Sequence, residues 1–89
     1  MSIADIREQI DAIDQELVQL LKKRMTCSLE IARIKKAENL PVYHPSREQE
    51  ILDRVKTECG ETYGDYITDI YRQILSSSRD LQNSQNIQA

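Results

Sequence analysis

Residues 3–35 read IADIREQIDAIDQELVQLLKKRMTCSLEIARIK, and the spacing of their apolar residues decides the architecture. Ile3, Ile6, Ile10, Ile13, Leu17 and Leu20 recur at alternating intervals of three and four, the seam of an amphipathic helix. The next seam position is Arg24, after which Cys27, Ile31 and Ile34 resume the stripe, so the helix continues through a guanidinium that faces the core. Lys35 follows beside the last seam residue, on the same flank as Arg7, Asp14, Leu21 and Ser28. Ser2, with Asp5 three residues on, has the form of a capping box. No Gly or Pro intervenes before Pro41, which predicts one helix to about Asn39.

A helix of some thirty-five residues is about 50 Å long, greater than the diameter of a globule that this chain could form alone. The rest of the sequence supplies only two shorter helices. One begins at Pro45 and Ser46, with Ser46 as cap and Gln49 placed to reciprocate, and ends at Gly60; it buries Ile51, Leu52 and Val55, with Glu48 on the same face and Arg47 one turn before Ile51. The other starts near Gly64 or Asp65 and carries Tyr63, Ile67, Ile70, Tyr71, Ile74 and Leu75, its stripe then becoming Ser78, Leu81 and Gln82. These two cannot cover the first. The expected fold is therefore all-α: three helices per protomer, one very long, in an interlocked antiparallel homodimeric helical bundle. Residues 1–84 form the single domain, and the polar stretch 85–89 is expected to fray.

Composition narrows the function. The 89 residues are 39% hydrophobic and contain no Trp or Phe, which leaves little for an independent core and favours self-association. A net charge of -3 and a pI near 5.1 provide no global basic field for nucleic acid, so a cationic patch must be local and suits a small anion. Cys27 and Cys59 form no CxxC pair, and His44 is the one histidine, so reduced thiols are expected and no metal site. Neither a membrane-spanning run nor a signal segment is indicated, and a cytoplasmic protein is expected.

The spacing also places charges. Arg7 and Lys35 lie roughly 42 Å apart on one helix at about 1.5 Å per residue and cannot share a small ligand. Across an antiparallel pair whose axis passes near Leu17 or Val18, Arg7 of one protomer approaches the Arg24–Ser28 region of the other. Two equivalent cationic sites result, to which the later helices can add Arg47, Glu48, Ser78 and Gln82. An arginine buried without a partner costs several kcal/mol. Its counterion is either an internal carboxylate such as Glu48 or a bound anion, and Arg7, Arg24, Lys35 and Arg47 together exceed what Glu48 can neutralise. Lys35 alone also reads as a charge at a helix C-terminus, and Gln82 alone as an ordinary polar surface residue.

The segments IREQIDAIDQELVQLLKKR, IARIK, PVYHPSREQEIL and ITDIYRQILSSSRDLQ together resemble the all-helical chorismate mutases over nearly the whole chain. The resemblance implies conversion of the dicarboxylate chorismate into prephenate by an intramolecular [3,3] rearrangement, with no cofactor and no metal. It further implies that Arg24, helped by Ser78, holds one carboxylate and that Arg7 of the partner protomer holds the other. Arg47 supports the cationic wall, Glu48 receives the ring hydroxyl, and Lys35 with Gln82 donates to the ether oxygen. The family more often has Asp at the position of His44 and frequently Glu at that of Ser46; His44 is either a substitute contact or a solvent-facing loop residue. Two other readings remain open: an isochorismate-pyruvate lyase on the same scaffold, against which Glu48 argues, and a non-catalytic helical dimerisation module.

Overall fold

The computed structural model describes residues 1–87 and, among them, is entirely helical. Helix α1 spans Ile3–Ala37 and helix α2 spans Pro45–Ile87. Ser2 caps α1 as expected. Its hydroxyl accepts from the Asp5 N–H at 3.1 Å, and the Asp5 carboxylate accepts from the Ser2 N–H at 3.1 Å. The Ser2 N–H foremost, and then the Ser2 hydroxyl beside the carboxylate, hold the Asp5 carboxyl below the usual carboxylate range.

At its far end α1 closes before Pro41 is reached. Asn39 takes the left-handed conformation at φ 57, so that the Leu40 N–H reaches the Lys35 carbonyl at 2.7 Å and the Asn39 N–H the Lys36 carbonyl at 3.3 Å. This pair of bonds satisfies carbonyls that the last turn leaves without helical partners, and Asn tolerates the positive φ that the motif requires.

The expectation of a Ser46 cap is overturned. Helix α2 already includes Pro45, whose fixed φ and missing N–H suit a first helical position. The cap is His44: its Nδ1 accepts from the Arg47 N–H at 3.1 Å and its carbonyl from the Glu48 N–H at 3.1 Å. Gln49 consequently does not reciprocate with Ser46 and donates instead to Asp53 at 2.9 Å.

Where the sequence predicts a second and a third helix, the structure has one element, interrupted at Gly60 (φ 71, ψ -173). Residues 61–64, expected as a connector, are helical. A single residue in a backbone region open to glycine suffices to turn the chain, so no separate loop is needed. The two limbs, 45–59 and 61–87, fold back on each other. Ile51, Val55 and Leu75 form the buried cluster, with Leu52, Cys59, Ile67 and Tyr71 packed against it. Close approach near the turn depends on Gly64: a Cβ there would stand 3.3 Å from the Lys56 carbonyl oxygen. Of the stretch expected to fray, residues 85–87 continue α2, and 88–89 lie outside the described residues.

The described chain measures 54 × 27 × 14 Å. Its thinnest dimension is little more than the roughly 10–12 Å diameter of one helix with side chains, so the helices lie in essentially a single layer. Helix α1 buries only Ser28 and Ala32 against α2. Its apolar seam over residues 3–20 is left uncovered: Ile10 and Leu17 are each 48% exposed and Leu20 59%. No helix among the described residues is long and apolar enough to cross a membrane.

Candidate active site

The flank of α1 that meets α2 is Arg24, Ser28, Ala32 and Lys35, at spacings of four, four and three that keep one helical face. Opposite it, the first limb of α2 presents Glu48 and Ile51 and the second presents Leu75, Ser78, Arg79 and Gln82. The Val42–His44 connector closes one end. Together they bound a cleft of about 240 Å³, a size suited to a small metabolite.

Seven of the eight residues picked out in the sequence line this cleft: Arg24, Lys35, His44, Arg47, Glu48, Ser78 and Gln82. Arg7 does not. It lies seventeen positions before Arg24 on the same helix, about 25 Å away at 1.5 Å per residue.

A directional hydrogen-bond ladder forms the floor. The Ser28 hydroxyl donates to the Arg24 carbonyl at 3.1 Å and is therefore the acceptor in its 2.7 Å contact with Ser78. Ser78, having given its proton to Ser28, accepts from Gln82 Nε2 at 3.2 Å. Ser28, Ser78 and Gln82 are all buried, and Gln82 Oε1 has no protein partner. The ladder fixes the Gln82 amide with its nitrogen towards Ser78 and leaves a second N–H on that nitrogen.

The charges are distributed unevenly. Arg24, half-buried, has no acidic partner within ion-pair distance among the described residues. Lys35 also lacks a carboxylate; its Nζ donates to the Val42 carbonyl at 2.8 Å, tying the cation to the connector. Arg47 pairs outward with Glu50 at 2.5 Å in exposed surroundings. Glu48, considered above as a counterion for Arg24, is instead bonded by Arg79. That carboxylate raises the Arg79 pKa above its already high ordinary value, with burial acting in the opposite direction. The Arg79 guanidinium also lies 5.3 Å from the centre of the Tyr43 ring, within cation–π range. His44 is exposed, and because its Nδ1 accepts the Arg47 N–H, the neutral ring carries its proton on Nε2.

Sequence reasoning missed Arg79 and the role of Ser28 in the ladder. The available signal for Arg79 was its place beside Ser78 and three residues before Gln82, at the edge of a stripe already judged polar.

The chain is thus all-helical, with a small, partly apolar cleft that carries two cations, Arg24 and Lys35, without carboxylate partners among the described residues. Known proteins narrow that description further. Residues 6–83 match the family described as chorismate mutase type II, and the chain belongs to that family. It is 34% identical over 85 residues to the bifunctional chorismate mutase/prephenate dehydratase of Aquifex aeolicus, a match covering 90% of this chain and 24% of that protein. It is 36% identical over 59 residues to the chorismate mutase of Methanocaldococcus jannaschii, covering 66% of this chain and 60% of that one. The Form II structure of chorismate mutase from Thermus thermophilus superposes with a TM-score of 0.88 at 30% identity, over 93% of this chain and 96% of that chain. The chain thus spans about a quarter of the length of the bifunctional relative.

Proposed function

We propose that this chain is a chorismate mutase acting as an antiparallel homodimer. The carrying observation is a pair of cations, Arg24 and Lys35, that share one cleft with the buried Gln82 amide and have no carboxylate of their own among the described residues. In the rearrangement the ether C–O bond breaks ahead of C–C formation, and negative charge grows on the bridging oxygen. Lys35 Nζ and the second N–H of Gln82 Nε2 are the donors assigned to that oxygen. Neither a nucleophile nor a proton transfer is required.

Arg24 and Arg7 of the second copy hold the two carboxylates, with Ser78 assisting Arg24. Arg47 and the Nε2–H of His44 border the ring end, and Glu48 accepts from the ring hydroxyl. Holding the enolpyruvyl arm folded over the ring turns an entropic barrier into binding already achieved. The dimer is supported by the 14 Å thickness of the chain and by the exposed seam of α1. A second copy laid antiparallel along that seam carries its Arg7 to the cleft.

The test is the initial rate of chorismate loss followed by ultraviolet absorbance, with no additive, alongside an assay of pyruvate release from isochorismate. Prephenate formation is expected to dominate and to vary little across neutral pH, since no group must titrate. Faster pyruvate release would assign the cleft to a lyase, and inactivity on both compounds would leave a dimerisation module. Arg7→Ala and Lys35→Ala proteins, mixed and allowed to exchange subunits, should recover activity through the one intact site of the mixed dimer.

A further inference from the structure

Among the described residues Glu48 is the single carboxylate bordering the cleft, and its position creates a problem for any dianion bound there. It lines the same small space as Arg24 and Lys35, neither of which has an acidic partner among those residues. A mobile carboxylate in that space would swing to either cation and occupy the charge that an incoming carboxylate needs. Arg79 removes that freedom. Its guanidinium bonds Glu48 Oε1 from the second limb of α2, in a pair whose side chains are 31% and 19% exposed, and it is held from behind by the Tyr43 ring.

We infer that Arg79 is a positioning residue: it fixes Glu48 as an acceptor with one oxygen left for the ligand, and it keeps that carboxylate from neutralising Arg24 and Lys35. The charges then sort cleanly. Arg79 cancels Glu48, Arg47 is paired with Glu50, and Arg24 and Lys35 remain for the anion. The same arrangement selects ligands that offer a hydroxyl donor to Glu48, because this carboxylate lines the cleft and Arg79 takes up Oε1 alone. This inference rests on the chorismate mutase reading.

The experiment is a kinetic cycle on the full chain with Arg79→Ala, Arg79→Lys, Glu48→Gln and the double variant Arg79→Ala/Glu48→Gln. Arg79→Ala should raise KM for chorismate about tenfold, the scale of one charge-assisted contact, and change kcat by less than about threefold. Arg79→Lys should restore most of the loss. In the Glu48→Gln background, where no stray carboxylate exists, the Arg79→Ala effect on KM should vanish. An equal KM increase in both backgrounds, or a loss confined to kcat, overturns the inference while leaving the mutase assignment standing. If the unaltered protein fails to turn over chorismate, that assignment fails instead, and melting temperatures of the same four proteins test the pair alone: additive changes overturn it, and coupled changes uphold the Glu48–Arg79 contact.

Discussion

Two stretches of α1 invert the usual order of burial. The seam through Ile3, Ile6, Ile10, Ile13, Leu17 and Leu20 is its most regular apolar surface, and every one of those side chains is exposed within the chain. Further along the same side of the helix stand Arg24, Ser28, Ala32 and Lys35, and this is the stretch that α2 covers. A chain folding for its own core would do the opposite, because removing apolar area from water is the dominant favourable term. The chain's own packing has therefore been given to the cleft, and the seam stays uncovered within the chain; on the proposed reading a second copy covers it.

Charging the seam is the strongest way to break that contrast. Leu17→Asp should abolish self-association, since a carboxylate buried at an apolar contact costs on the order of 5 kcal/mol, and sedimentation would reveal it. A variant with unchanged size and activity would mean that the seam is not an interface. Lys35→Ala, on the covered flank, should cost about 3–4 kcal/mol in the transition state while the protein keeps its assembly, measured as initial rate beside a sizing profile. Retention of full rate would remove Lys35 from the chemistry.

Smaller effects sharpen the picture. Ser28→Ala should destabilise by about 1 kcal/mol by cutting the ladder between Arg24 and Gln82, readable in urea unfolding. At the exposed start of α1, Ser2→Ala should lower the Tm by only a few degrees. The other half of that cap has a pH signature. The folded-state pKa of Asp5 lies below its unfolded value, so the carboxylate's contribution is complete above the ordinary Asp range and is lost as pH falls through the folded value. The stability lost on Asp5→Ala should accordingly shrink in strong acid. A gap that widens there would contradict the capping box.

Much of this was readable without coordinates, and what was not has a common cause. The length of α1, its Ser2–Asp5 cap and the buried face at Ile51 and Val55 follow from periodicity and local chemistry, which act within a turn or two. The choice of His44 over Ser46 as cap turned on whether Pro45 lay inside the helix, a one-residue question that pattern alone leaves open. Gly60 was recognised as a stop, yet how little chain the reversal consumes depends on the backbone of that one residue. Seven residues that line the cleft could be named because several fall on facing stripes and because together they carry the resemblance to the chorismate mutases. The partner of Glu48 could not, because Arg79 lies thirty-one residues away, and periodicity identifies a face without specifying the pairing across limbs. The proposed placement of Arg7 at the cleft of a second copy is likewise a matter of how two chains would meet.

The narrow crossing at Gly64 acts as a fulcrum. It stands near the bend of a long hairpin, while Glu48 sits roughly 12 Å along the first limb from Lys56. A methyl group added at that glycine would force the limbs apart by only tenths of an ångström locally, but the angle would widen that gap towards the open end, where Glu48 meets Arg79. A substitution remote from every charged group could thus detune the cleft by leverage, without altering any residue that borders it.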